Sequence, residues 1–412
     1  MGIDELFIVP GRSRDDESKS VATLVRQWAD REIIAKRLEY HQGYPALFRE
    51  KMKDLALSIG LQRMAVPADL GGFGWNTPER ASDLLDVLIE AGRADASFGV
   101  LLAMNYALFS SAPVSGPSDG GSLIKVLSET FSSDELVMPA IVLPGPGHAG
   151  QTTALFKSRS ILARVRSAGG DSFVHGSRLR PLAAGHDAGL FCIVCADGND
   201  QPGLAFVAGD AGGIVRSGPI VTTGLNACTN AEITLDDVKI PSEHVIDSPG
   251  AVESLYSRLG LLLGGVSLGA GLNFFEILQN WCGSRVIKGS SLLKENPLCA
   301  SVLADVAEEL SLTNLLLHDL AGLMAQSQQS GPMDETALFT YAGMIGSRSQ
   351  QAVMRAINRG LELMGSAGYA KEWHAEKHWR DVKTIQSLMC GVAAETPVKM
   401  DTARFFFSCS QV

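Results

Sequence analysis

The hydrophobic pattern predicts a mostly helical α+β protein in three parts. These are an N-terminal helical domain (residues 1–133), a middle antiparallel β domain (134–245) and a C-terminal four-helix-type bundle (246–412). Three observations carry this prediction. Apolar residues recur at helical spacing through residues 14–131. Short β-type runs separated by turn residues then occupy 139–241. Helical spacing returns near Gly250 and persists to the end.

In the first part, Val21, Leu24, Val25, Trp28 and Ile33 mark one helix, and Leu47, Met52, Leu55 and Ile59 a second. Residues 65–74 form a Pro/Gly loop. Thr77 before Pro78 reads as an N-cap with proline at the first helical position, opening a helix to about Ala91. Asp95 caps the next, which holds Leu101, Leu102, Met104 and Leu108, and a short helix near 122–131 ends the region. Residues 139–150 are an apolar strand breaking into a Gly/Pro loop. Strand-like runs follow at 159–165, 172–175, 189–195, 203–207, 213–216 and 231–235, with 236–241 closing the domain. In the bundle, Val302, Val306, Leu310, Leu315, Leu316, Leu320 and Met324 belong to one long helix and residues 339–361 to another. Residues 259–278 approach membrane-spanning length, but their glycines, with Asn273 and Glu276, fit a buried bundle helix better.

Composition narrows the function. A net charge of -10 argues against a nucleic-acid binder, which would show a basic face. Seven cysteines are scattered, and no His/Cys cluster has zinc spacing. Cys192 and Cys195 form a C-x-x-C, yet they lie in an apolar run that reads as a strand. Residues 1–7 have no basic segment leading into an apolar run, so no signal peptide is expected. A cytoplasmic protein with reduced thiols is the simple expectation.

Four motifs, in order, resemble the acyl-CoA dehydrogenase superfamily of flavoproteins over nearly the whole chain. Val66–Gly72 is similar to the family's V-P-x-x-x-G-G loop, and residues 231–241 to the segment leaving its β domain. Arg285–Gly289 is similar to its R-x-x-F-G turn. Gly365–Gly368, with Glu376-Lys377 and Arg380–Lys383, resembles G-G-x-G…E-K…R-D-x-K. The resemblance implies FAD held between the β domain and the bundle, α,β-dehydrogenation of an acyl-CoA thioester, and electrons passed to an electron-transfer flavoprotein. It also implies a homotetramer, or a heterotetramer with a homologue. Carried over position by position, Ile141, Val142 and Leu182 are expected beside the flavin. Arg285 is expected at its pyrophosphate, and Glu362, Leu363, Gly365 and Ser366 at the adenosine half of a neighbour's FAD. His148 and Arg258 are expected at the substrate, with Leu101, Met104 and Tyr256 as candidate lining of the acyl pocket. Arg380 and Asp381 are expected to form a structural ion pair.

The chain departs from the family pattern where the chemistry lies. Val142 and His148 stand where the family's T-E-P-x-x-G-S has its threonine and serine, and Arg180 and Leu182 replace an aromatic and a hydroxyl residue. The family's glutamate base falls on Met389 or Cys390, and its alternative position on Ser257. None of the three is a good base for an α-proton, which leaves Glu395 as a carboxylate that could swing in. The expected function is therefore an FAD-dependent, acyl-CoA dehydrogenase-like oxidoreductase with non-standard catalytic residues. The alternatives are a non-catalytic subunit of a heteromeric dehydrogenase, or a flavin monooxygenase or desulfinase of the same fold.

Overall fold

The computed structural model describes residues 16–42, 46–111, 120–146, 154–287, 289, 291–326, 335–389 and 391–409. Its N-terminal part contains α1 (Asp16–Ala29), α2 (Arg37–Gln42), α3 (Ala46–Lys53), α4 (Ala81–Ala94), α5 (Ala96–Ser111) and α6 (Gly120–Phe131). π-helical turns at Asp30–Ile34 and Asp54–Ser58 follow α1 and α3. All sixteen residues of α5 are buried, so it runs through the interior instead of lying on the surface. Asp95 caps it as expected, its Oδ1 accepting the Ser97 N–H at 2.8 Å. Thr77 makes no side-chain cap. Pro78–Arg80 is a 3₁₀ turn, and α4 starts only at Ala81.

The middle part is a curled sheet in the order β11-β8-β7-β5-β6-β10-β9. Its strands are β5 (Ala163–Ala168), β6 (Asp171–Leu179), β7 (Leu190–Ala196), β8 (Pro202–Ala208), β9 (Ile214–Arg216), β10 (Ile233–Pro241) and β11 (Val245–Ile246). Most neighbours are antiparallel, but β1 (Pro139–Val142) and β5 both lie parallel to β7. A separate three-stranded sheet, β2-β4-β3, joins β2 (Gly145–Pro146), β3 (Ala154–Phe156) and β4 (Arg159–Ile161). The expected single run at 159–165 is thus two strands in different sheets. Segment 236–241, expected to close the domain, instead continues β10 after a bulge at left-handed Asp237. Cys192 and Cys195 are fully buried in β7, and burial raises both thiols, Cys195 to about 12.

The bundle comprises α7 (Pro249–Ser284), α8 (Pro297–Gln326), α9 (Glu335–Met364), α10 (Ala375–Met389) and α11 (Val392–Phe407). By length and composition α7 could cross a membrane, and 89% of its apolar window is buried inside the fold. Its glycines explain that burial. A Cβ on Gly269 would lie 1.9 Å from the Ile89 carbonyl oxygen, and one on Gly92 of α4 would lie 2.3 Å from that of Val266. The two helix backbones touch at this crossing, which locks the N-terminal part onto the bundle. Ion pairs brace it, with Arg93 reaching Glu276 at 2.6 Å and Asp30 at 2.8 Å.

Candidate active site

A cavity of about 70 Å³ lies at the seam between the β domain and the bundle. Leu143 and Pro144 after β1, Arg159 of β4, Tyr256 of α7, Met389 of α10 and Asp401 of α11 all line it. The hairpin β3–β4 turns through Lys157 and Ser158, both left-handed, and drives Phe156 and Arg159 inward. Phe156, Tyr256 and Phe339 form a ring cluster with centroids 6.0–6.1 Å apart. The Arg159 guanidinium lies 5.3 Å from the Tyr256 ring centroid and 5.7 Å from that of Phe339.

Electrostatics in this cavity centre on one carboxylate. Asp401 Oδ2 accepts from Arg159 Nη2 at 2.8 Å and Oδ1 from Arg404 Nη1 at 3.0 Å, with the Asp401 and Arg159 side chains 5% and 8% exposed. Arg404 also bonds Ser158, and Lys157 pairs with Glu253 at 2.9 Å. Burial raises the Tyr256 phenol, so it stays protonated.

The expected site residues divide around this cavity. Met389 and Tyr256 line it. Ser257 does not; its hydroxyl donates to the Glu253 carbonyl at 2.9 Å. Glu395 turns to Lys399 at 2.6 Å. Arg258 lies off the cavity, donating to Met324 Sδ at 3.2 Å, and burial lowers it to about 10 against the pull of Glu79. Leu101 and Met104 are packed in the core and do not line it. His148 and Cys390 lie outside the described residues.

Ile141 and Leu182 are brought together, the Leu182 N–H donating to the Ile141 carbonyl at 2.7 Å, and with Val142 they are buried. Arg285 is exposed at the end of α7, 5.5 Å from the Trp281 ring centroid. Trp281 in turn packs edge-on against Trp373, just past the glycine turn. In that turn Gly365 is left-handed, with open space where a Cβ would stand, and Ser366 is exposed. Glu362 is exposed and accepts from Asn358 and Arg359, whereas Leu363 packs against the bundle core.

An open groove of about 980 Å³ borders the segment after the turn, with Tyr369, His374, Glu376 and Arg380 among its walls. Arg380 and Asp381 do not pair with each other. Adjacent residues on a helix point apart, so Arg380 pairs with Glu376 while Asp381 pairs with Lys377 and accepts the Leu225 N–H at 2.8 Å. Lys377 also reaches Asp95 at 2.9 Å. Burial opposes its charge, but the two carboxylates outweigh burial and raise its pKa.

Sequence reasoning missed Asp401 and Arg159. The available signal was residues 156–159, where polar turn positions separate two alternating runs as in a two-residue hairpin. Nothing in the local sequence sets Asp401 apart from other acids on a helix.

Comparison with known proteins matches both flanking parts. The model described as "Acyl-CoA dehydrogenase, N-terminal domain" matches residues 15–115, and "Acyl-CoA dehydrogenase, C-terminal domain" matches 256–389. Cyclohex-1-ene-1-carbonyl-CoA dehydrogenase of Syntrophus aciditrophicus (strain SB) is 22% identical over 386 residues, covering 90% of this chain and 86% of its own. The human mitochondrial short-chain specific acyl-CoA dehydrogenase is 24% identical over 376 residues, 88% of this chain and 84% of its own. Butyryl-CoA dehydrogenase from Megasphaera elsdenii shares the fold with a TM-score of 0.76 at 16% identity, over 96% of this chain and 99% of its own. Nitroalkane oxidase crystallized with 1-nitrohexane shares it with a TM-score of 0.80 at 16% identity, over 95% and 97%. With both flanking domains matched and the fold shared from end to end, the chain belongs to the acyl-CoA dehydrogenase superfamily.

Proposed function

We propose that this protein is an FAD-dependent oxidoreductase acting on an acyl-CoA thioester at the cavity beside Met389, with catalytic residues unlike those of its family. The observation that carries the reading is the position of that cavity. It lies where the residues after β1, α7, the end of α10 and α11 converge, and a buried ion pair is built into its wall. The names of the curated relatives support the substrate class. The residues present suit the two ends of a flavin dinucleotide. Exposed Arg285 and the open Gly365–Ser366 turn suit its charged half, and the apolar surfaces of Ile141, Val142 and Leu182 suit its ring. When bound, the flavin supplies the hydride acceptor. The chain's own task is to orient the substrate, exclude water and hold a proton.

At about 70 Å³ the cavity is well below the ~300–1,000 Å³ of a typical ligand pocket. It therefore takes the reacting end of a short acyl group, and the CoA lies outside it. Electrons pass on to an electron-transfer flavoprotein, and the working unit is a tetramer. The first test is anaerobic reduction of the purified protein's flavin by butyryl-CoA, followed by absorbance. Bleaching of the oxidised flavin band is expected, and protein that binds no added FAD overturns the reading. A non-catalytic partner subunit is the second reading, favoured by apolar Met389 and by the Ser257 hydroxyl turned away into its own helix. Co-purification with a second, glutamate-bearing homologue would support that one.

A further inference from the structure

We propose that Asp401 is the proton acceptor of this site, positioned by Arg159 and Arg404. The proposal rests on the acyl-thioester reading above. Asp401 is the one carboxylate among the described residues that line the cavity. It shares that cavity with Met389, which stands at a family base position, and it is nearly as buried as the core around it. The nearby alternatives do not line the cavity: Glu395 turns to Lys399, Glu253 to Lys157, and the Ser257 hydroxyl to its own helix.

Two guanidiniums on one carboxylate fix its orientation at the cavity wall, Arg159 through Oδ2 and Arg404 through Oδ1, beside the Phe156–Tyr256–Phe339 ring cluster. The same cations serve the step. As the substrate's α C–H bond breaks, its proton forms an O–H bond on Asp401. The electron pair moves to the thioester oxygen as an enolate. Negative charge thus passes from the Asp401 carboxylate to the enolate, and Arg159, already at the cavity wall, remains beside an anion throughout. Charge is conserved, and proton transfer itself needs no oxidant.

The test is exchange of the α-protons of butyryl-CoA with deuterium oxide, followed by proton NMR, with flavin reduction measured in parallel. Wild-type protein exchanges the label. Asp401→Asn is expected to lose at least about a hundredfold of the exchange rate, the contribution of a general base, with bound flavin and fold unchanged. Asp401→Asn leaves the buried Arg159 without its carboxylate, so the double variant Arg159→Gln/Asp401→Asn covers the case in which the single variant does not fold. The double variant is expected to show the same loss. Asp401→Glu restores part of the exchange if the carboxylate itself is what matters. Either neutral variant exchanging at close to the wild-type rate overturns the assignment of Asp401 and leaves the acyl-thioester reading standing. Wild-type protein that neither exchanges nor reduces its flavin overturns both.

Discussion

The two ends of α10 lie on one helix and do different work. Its first turns are buried and polar. Lys377 is clamped between Asp95 and Asp381, Asp381 holds the Leu225 backbone of the β domain, and Asp95 caps α5. One cation thus ties together the N-terminal part, the middle part and the bundle. Its last two residues, Leu388 and Met389, are apolar, half-buried and line the cavity. Ionisable groups tie three parts together at one end of α10, and at the other end its cavity-lining residues are apolar. The charge in the cavity comes instead from β4 and α11. Position along one helix therefore says little about chemistry until the partners from other elements are known.

The largest effect that would test this contrast is at the polar end. Lys377→Ala leaves two buried carboxylates sharing a site without their cation, and the expected loss is about 3–5 kcal/mol of unfolding free energy, read by chemical denaturation. Changing Asp95 and Asp381 to asparagine in the Lys377→Ala background removes the unpaired charges but keeps the α5 cap and the Leu225 acceptor, and should recover much of that loss. A cost below about 1 kcal/mol for Lys377→Ala would remove the distinction between the two ends.

A smaller effect concerns pH. His374 and His378 flank this clamp, facing Arg37, Lys377, Asp95 and Glu376. Burial, with Arg37 next, lowers His374 to about 4 and His378 well below its ordinary 6.5. Both are neutral when folded, whereas the unfolded chain takes up protons as pH falls below 6.5. Their contribution is complete above pH 6.5 and is lost as pH falls toward 4, with a slope of at most about 1.4 kcal/mol per pH unit for each histidine. Denaturation midpoints across that range should fall with acid, and His378→Asn should flatten the slope.

The same contrast shows how much was legible beforehand. Helix–sheet–helix order followed from periodicity, because apolar residues recur at helical spacing along the helices and the central strands β7 and β8 are short, almost continuously buried runs between turn residues. Asp95 as a cap and α7 as an interior helix were readable for the same local reason. The pairing of Arg380 with Glu376 and of Asp381 with Lys377 was not read, although helix geometry at i, i+4 contained it. Asp401 could not be read at all. Its partners are Arg159, in a different sheet far back in the chain, and Arg404, on the next turn of its own helix. Long-range partners of this kind are set by tertiary packing, on which local spacing is silent.

The smallest effect belongs to the apolar end. Met389→Leu conserves volume on a half-buried wall, so unfolding free energy should change by less than about 1.5 kcal/mol. If Met389 only shapes the cavity, butyryl-CoA exchange should stay within about tenfold of wild type, equivalent to at most ~1.4 kcal/mol in the barrier. A collapse of exchange in Met389→Leu, with fold and flavin content intact, would place chemistry back at the end of α10 and away from Asp401. The opposite pattern, with exchange tolerant at Met389 and lost at Asp401, would mean that this site moved its base to a neighbouring helix and kept the fold that surrounds it.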